Sequence, residues 1–256
     1  FTSKEIFIGE VGWPSAGRMR HGALPSPVSQ ARVIADLLAR GKSEGFRVNI
    51  IEAYDQPWKR ALEGTVGGHW GLFEDATRKQ KFSWGEPVTN HPNWRWQAAG
   101  GVFLVALIFI AAGVASSRAT ASPKPGVAAW AAIALTAIAA GVMIGWTAEN
   151  LAIENLGWGS WLRALAFAFL SIAAPIVAAA ALAMSAGTPS FSQVIGARQD
   201  IAPGALTYLL GFLAIVLAVL AMQSALALAF DPRYRDFPFA PMTAAALPFV
   251  LIGLLT

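Results

Sequence analysis

Two hydrophobic patterns divide the chain near residue 96. Residues 1–96 alternate short apolar runs with polar turns, whereas residues 97–256 consist of long uncharged segments separated by isolated charges. The five uncharged segments contain 22, 24, 34, 30 and 20 residues in chain order. A helix needs roughly 20 apolar residues to cross about 30 Å of hydrocarbon, so each segment is long enough to span a membrane.

This pattern predicts five membrane-spanning helices, at 97–117, 126–146, 164–186, 204–230 and 240–256. The alternative is a very apolar soluble helical bundle, but such helices need a polar face and these segments have none. The alanine-rich run 177–182 predicts close helix packing, because small side chains let helix backbones approach each other.

The first region predicts a strand, a helix and a second strand. The apolar run 6–8 ends at a Gly-Glu pair and reads as a buried strand. Ser26 and Pro27 then form a helix start, and apolar residues at helical spacing continue until Gly41, where we expect the helix to end. The β-rich run 46–51 follows. Together these elements predict a right-handed βαβ unit with parallel strands.

Composition sharpens this division into a domain at 1–90 and a membrane region at 91–256. Only 13% of the residues are charged, and 23 of the 34 charges precede residue 97. Those 23 comprise 13 basic and 10 acidic residues, a balance that does not favour nucleic-acid binding. Cysteine is absent, and the three histidines are scattered. We therefore predict neither a metal site nor a cofactor.

Candidate chemistry lies where the two predicted strands end. Glu10 follows the first strand and Glu52 follows the second, and the carboxyl ends of adjacent parallel strands open onto one face, where ligands bind. Charged and aromatic side chains accompany them: Asp55, Lys59, Trp13, Tyr54 and Trp58. Carboxylates among flat aromatic rings suit a sugar site. The alternative is that the acids form structural salt bridges with Lys59 and Arg60 while the tryptophans pack at the rim.

Three motifs are distinctive in this region: IGEVGWPS at 8–15, EAYDQPWK at 52–59 and GHWGLF at 68–73. They resemble glycoside hydrolase family 17, the β-1,3-glucanases and related glucanosyltransferases, and the resemblance covers about residues 4–75. It implies a (β/α)₈ TIM barrel, of which this chain holds the seventh strand, its helix, the eighth strand and the closing segment. We therefore expect the chain to be a piece of a longer protein, with most of the barrel upstream of Phe1.

The resemblance also implies roles for individual residues. Glu10 matches the nucleophile of a retaining mechanism, and the general acid/base is a glutamate after the fourth strand, expected upstream of Phe1. Glu52, Tyr54, Asp55 and Lys59 would support Glu10 and hydrogen-bond the sugar, while Trp13 and Trp70 would stack on glucan. His69 is expected to be a hydrogen-bonded neighbour and not a catalyst.

A family 17 segment followed by membrane spans looks like the bacterial membrane-bound members linked to β-glucan synthesis. We therefore expect a multi-pass protein of the bacterial inner membrane with its catalytic portion in the periplasm. It would act as a β-1,3-glucan hydrolase or transglycosylase on oligosaccharides or polysaccharides, with a glucan synthase as partner, and this chain alone would be inactive. The alternative is a non-catalytic membrane subunit of a glucan synthesis or export system.

Overall fold

A computed structural model describes residues 4–119, 124–186, 204–230 and 237–255 of this chain. It divides into two compact units. The first unit comprises Phe1–Pro92 with the short segments Ile153–Leu156 and Ala227–Asp236, and the second comprises Asn93–Ala152, Gly157–Leu226 and Phe237–Thr256.

The first unit is built on the predicted strand, helix and strand. Strand β1 spans Ile6–Val11, helix α1 spans Pro27–Glu44 and strand β2 spans Phe46–Ile50. The strands pair in parallel, with Ile8 opposite Val48. Strand β1 runs three residues beyond the predicted apolar run 6–8 and so contains Glu10, and its register shifts between Ile8 and Val11.

Helix α1 has the predicted start and a later end. Ser26 is its N-cap, with a side-chain oxygen that accepts a hydrogen bond from the Ser29 N–H, and Pro27 occupies the first turn. The predicted end at Gly41 is wrong: this glycine is buried inside the helix, where an added Cβ would lie 2.9 Å from the Phe46 carbonyl oxygen. Gly45, with φ of 75°, ends the helix in the left-handed conformation.

Short helical turns follow β2 and lead into an irregular segment. They are a 3₁₀ turn at Pro57–Lys59, helix α2 at Arg60–Glu63 and a 3₁₀ turn at Thr65–Gly68. Isolated bridges then join Phe73 to Tyr54 and to Gln80, which folds residues 69–82 back over the loop after β2. Within the described ranges the sheet has two strands, so the structure shows a βαβ unit and not a TIM barrel.

The second unit is helical. Its helices are α3 at Trp94–Arg118, α4 at Val127–Glu154, α5 at Gly157–Ala183, α6 at Ala205–Phe230 and α7 at Phe239–Leu255. Over the part of the chain that the structure describes, α3 to α6 are each long and apolar enough to cross a membrane, and α7 is a shorter apolar helix of 17 residues. These helices overlap all five predicted spans, although residue 256 lies outside the described residues.

Two helices extend beyond their predicted limits. Helix α4 continues eight residues past 146, so Glu149 and Glu154 belong to its last turns and not to the predicted loop. Helix α5 begins at Gly157, seven residues before 164, and includes Trp158 and Trp161. Counting uncharged residues locates the hydrocarbon core, but a helix can continue through the polar surface of a membrane. The connection between the predicted spans at 204–230 and 240–256 contains residues 231–236, which lie outside the described residues.

Small residues make the closest helix contacts in this unit. The predicted packing of the alanine run is confirmed, since Ala178, Ala179 and Ala181 are fully buried. Helices α3 and α4 cross where Gly101 meets Gly141: a Cβ added to Gly101 would lie 2.3 Å from the Gly141 carbonyl oxygen. One turn along, a Cβ at Gly145 would lie 2.7 Å from Cβ of Gln97. Gly141 and Gly145 thus form a GxxxG contact of the kind membrane helices use.

Candidate active site

Glu10 and Glu52 lie at the carboxyl ends of the two parallel strands. The Ile51 N–H donates to the Val11 carbonyl oxygen at 2.9 Å, so the ladder continues to the point where both strands finish. Glu10 is the last residue but one of β1, and its side chain is exposed. Glu52 comes two residues after β2, its side chain is only 10% exposed, and the peptide bond between Ile51 and Glu52 is cis.

Lys59 connects the two carboxylates electrostatically. Its ammonium group donates a hydrogen bond to Glu52 Oε1. This bond is the main cause that raises the pKa of Lys59, and the negative charges of Glu52, Glu63 and Glu10 raise it further. Lys59 therefore stays protonated at neutral pH and contributes positive charge near Glu10.

The turn after β1 depends on a close backbone approach at Gly12. A Cβ at this position would lie 2.3 Å from the Ile51 carbonyl oxygen and 3.3 Å from Cε3 of the Trp70 ring. Further along the turn, the Ser15 N–H donates to the His69 carbonyl oxygen at 2.8 Å. Trp13 is fixed differently, because its ring N–H donates to the Leu24 carbonyl oxygen at 3.0 Å. The first and third sequence motifs therefore pack directly against each other.

Asp55 has a different cation as its partner from that of Glu52. Instead of joining Glu52 and Lys59, it accepts a hydrogen bond from Lys81 at 2.6 Å and another from the Gly71 N–H at 2.9 Å. Lys81 also donates to Ser15 Oγ at 2.6 Å and to the His69 carbonyl oxygen at 3.3 Å. One buried ammonium group thus ties together the turn after β1, the loop after β2 and the segment that closes the unit.

Sequence reasoning missed Lys81. It stands among several basic residues shortly before the membrane region, where cations usually flank a span, and nothing in the motif pattern marks it. Its side chain is 7% exposed and that of Asp55 is 10% exposed. Burial lowers the pKa of Lys81 and raises the pKa of Asp55, while their hydrogen bond and mutual attraction oppose both shifts. The pair is therefore a buried structural ion pair.

His69 is held neutral. Burial, followed by the positive charges of Lys81 and Arg60, lowers its pKa to about 4. At pH 7 the ring therefore carries no imidazolium charge. The contribution of His69 to the site comes from its backbone carbonyl, which accepts hydrogen bonds from Ser15 and Lys81.

The aromatic residues of the motifs differ in exposure. Trp58 is 62% exposed beside Lys59, and Tyr54 is 42% exposed, with its ring against Phe73 and under the guanidinium of Arg78. Trp70 lies deeper, where its ring covers Gly12 and its carbonyl accepts from the Glu52 N–H at 3.2 Å. Over the described residues, no group of three or more His, Asp or Glu side chains is placed to hold a metal ion.

Known proteins resemble the first part of this chain in sequence. Residues 1–71 match the BtgE/BtgC glycoside hydrolase domain family. The chain is also 33% identical over 81 residues to a glucan 1,3-beta-glucosidase of Candida albicans, a match that covers 30% of this chain and 26% of the relative. The corresponding enzyme of Saccharomyces cerevisiae is 31% identical over 74 residues, covering 28% of this chain and 24% of the relative. The resemblance to β-glucan-related glycoside hydrolases is therefore confirmed over this segment.

The chain spans about a quarter of the length of these curated relatives. A glucan 1,3-beta-glucosidase of Arthroderma benhamiae is 33% identical over 92 residues, which cover 32% of this chain and 28% of the relative. No solved structure matches the chain. Together these matches support a β-glucan glycosidase, and the apolar helices of the second unit suit a lipid bilayer.

Proposed function

We propose that residues 1–75 supply the nucleophile side of a retaining β-1,3-glucan-active glycosidase of family 17 type, carried by a multi-span membrane region. The observation that carries the proposal is the position of Glu10: an exposed carboxylate at the carboxyl end of a parallel strand, in the positive field of Lys59. Matches to a glycoside hydrolase domain and to glucan 1,3-beta-glucosidases support the same chemistry.

In this proposal a carboxylate oxygen of Glu10 attacks the anomeric carbon of a bound glucosyl unit. The bond from that carbon to the leaving oxygen breaks, and a general acid protonates the leaving oxygen. A sugar hydroxyl or water then attacks the glycosyl ester and releases Glu10. The general acid/base is proposed to be a glutamate elsewhere in the full-length protein. Glu52 and Lys59 act as a supporting pair, while Trp13, Tyr54 and Trp70 line the sugar site.

We infer that the βαβ unit forms the last strands of a TIM barrel. Strands of parallel sheets are normally covered on both faces, yet Ile6 and Phe7 of β1 are 66% and 57% exposed here. Further strands and helices would cover these side chains. On this basis we propose that the 256-residue chain alone lacks glucanase activity.

We further propose a bacterial inner-membrane protein with its catalytic portion in the periplasm, where it remodels β-glucan beside a glucan synthase. The proposal covers both hydrolysis and transfer to a sugar, because either water or a sugar hydroxyl can attack the glycosyl ester. The second candidate, a non-catalytic subunit of a synthesis or export system, is favoured by the size of the helical unit, which is the larger part of the chain.

Glu10→Gln and Glu52→Gln in the full-length protein test the enzyme proposal. Glu10→Gln should abolish both hydrolysis and transfer of β-1,3-glucan, because an amide cannot form the glycosyl ester, whereas Glu52→Gln should leave measurable turnover. A slow fluorosugar substrate should label the peptide that contains Glu10, as read by mass spectrometry. Full activity of Glu10→Gln, or a label on another carboxylate, would reject Glu10 as the nucleophile. Absence of both turnover and label in the unmodified full-length protein would favour the non-catalytic alternative.

A further inference from the structure

A groove lies between the first turns of α3 and the last turns of α4, within the second unit. Its volume is about 440 Å³, and its lining includes Asn93, Trp96, Gln97, Gly100, Ala148 and Glu149. None of these residues belongs to the candidate active site. The groove therefore calls for a separate explanation.

A carboxylate and two amides face this groove. The Gln97 side-chain N–H donates to Glu149 Oε2 at 3.1 Å, which links the two helices across the groove. Glu149 and Gln97 both line the groove, so this pair places a carboxylate and an amide side by side there. Carboxylate and amide groups together offer several hydrogen-bond donors and acceptors. The groove can therefore bind a ligand that carries both kinds of group.

Glycines give the groove its shape. Because Gly145 has no side chain, Gln97 can pack directly against the backbone of α4; a Cβ at Gly145 would lie 2.7 Å from Cβ of Gln97. Gly100 plays a different part: a Cβ added to it would meet nothing within 4 Å, so the space above it is open. Trp96 borders this open space with a ring that is 81% exposed. The groove thus combines open space at Gly100 with an aromatic side chain, Trp96.

The lengths of the helices place the groove near the membrane surface. At 1.5 Å per residue, the 25 residues of α3 extend roughly 37 Å and the 28 residues of α4 roughly 42 Å, against about 30 Å of hydrocarbon. Asn93 directly precedes α3, and Glu149 is five residues from the end of α4. Both helix ends therefore extend into the headgroup layer, where Trp rings also prefer to lie.

We propose that this groove binds a glucosyl unit presented at the membrane surface. A sugar ring offers hydroxyls that donate and accept hydrogen bonds, which match Asn93, Gln97 and Glu149, and an apolar C–H face, which matches Trp96. The inference rests on the proposed function only in naming glucose as the sugar. The sugar can come from a glycolipid headgroup or from a soluble glucan chain.

Photolabelling of the full chain in lipid nanodiscs tests this site. The probe is glucosyl-diacylglycerol with a diazirine on its acyl chain, and mass spectrometry locates the labelled peptides. We expect label on the peptides around the groove. Gly100→Leu should reduce that label about tenfold by filling this open space. Gly113→Leu is the matched control, because Gly113 is on the same helix, is also exposed and has equally open surroundings; its label should be unchanged.

Glu149→Gln keeps the volume of the side chain and removes its charge, so it should weaken labelling even if Gly100→Leu disturbs the helix. Competition by free laminarihexaose identifies a soluble glucan as the source of the sugar, and absence of competition identifies the glycolipid. Equal labelling by a probe without the sugar, or labelling that Gly100→Leu and Glu149→Gln leave intact, would overturn the proposal. Fluorosugar labelling of Glu10 is independent of these results, so the two proposals can fail separately.

Discussion

The two units of this chain achieve close packing by opposite means. In the first unit, loops are held by a buried ion pair: Lys81 donates to Asp55, Ser15 and the His69 carbonyl. In the second, α3 and α4 meet through Gly101 and Gly141, with no side chain between their backbones. Irregular loops need polar partners for their backbone groups, whereas helices satisfy their own and need only small residues to approach each other. The first unit should therefore lose stability when a buried charge is removed, and the second when a glycine at a helix contact is enlarged.

Removing Lys81 should have the largest effect. Lys81→Met leaves the Asp55 carboxylate buried without its cation, which typically costs about 3–5 kcal/mol, enough to unfold the site. Hydrogen exchange of the first unit in the nanodisc-embedded protein measures this loss. The double variant Lys81→Met with Asp55→Leu should recover most of the stability, because no charge is then left buried. Equal damage in the single and double variants would show that the ion pair itself is not what holds the loops.

Acidification should destabilise the first unit by a smaller amount. The folded pKa of His69 is about 4 against 6.5 for a free histidine, so between these values the unfolded chain binds more protons and stability falls as the pH falls. The full shift corresponds to roughly 3 kcal/mol at most. His69→Gln should remove this part of the pH dependence in denaturation profiles recorded between pH 7 and pH 4. A profile with an unchanged slope in His69→Gln would assign the dependence to other groups.

Enlarging Gly101 should affect only the helical unit. Gly101→Val forces a side chain against the Gly141 carbonyl and should cost about 1–3 kcal/mol through overpacking. The exposed residue Gly113 of the same helix serves as control, since Gly113→Val meets no neighbour. Thermal unfolding in detergent compares the two. The opposite order of stability would mean that α3 and α4 do not need their close contact, and the contrast between the units would fail.

Helices and strands were predicted well from the sequence where their position depends on one hydrophobic pattern or on a helix cap. The parallel βαβ unit and the positions of the apolar helices follow from apolar runs, from Ser26 and Pro27, and from long uncharged segments. Helix ends were less accurate. Gly41 looked like a stop but fits inside α1 because Phe46 packs over it, and α4 continues past its apolar core to Glu154.

The candidate site was predictable only as far as the motifs reach. The positions of Glu10 and Glu52 at the ends of adjacent parallel strands predicted that the two residues face the same side. Glu52 and Lys59 are seven residues apart, which made a salt bridge between them the alternative interpretation, and the structure contains this salt bridge. The partner of Asp55 could not be found this way, because Lys81 lies 26 residues away and reaches it only through the fold of the closing segment. Contacts of this kind depend on three loops at once, and no local pattern encodes them.

The hydrogen bonds of Lys81 with Ser15, Asp55 and His69 also determine where this protein can be truncated or fused to another. The family match ends at residue 71, but the Lys81 N–H donates to the Leu72 carbonyl at 3.0 Å, and Phe82 beside it is only 7% exposed. A truncation drawn at the end of the match would remove the cation that Asp55 needs, together with Phe73 and its bridge to Tyr54. A soluble version of the segment that matches the glycoside hydrolase family, or a chimaera that carries it on another protein, should therefore retain the chain through at least residue 82, with its junction in the stretch before Asn93.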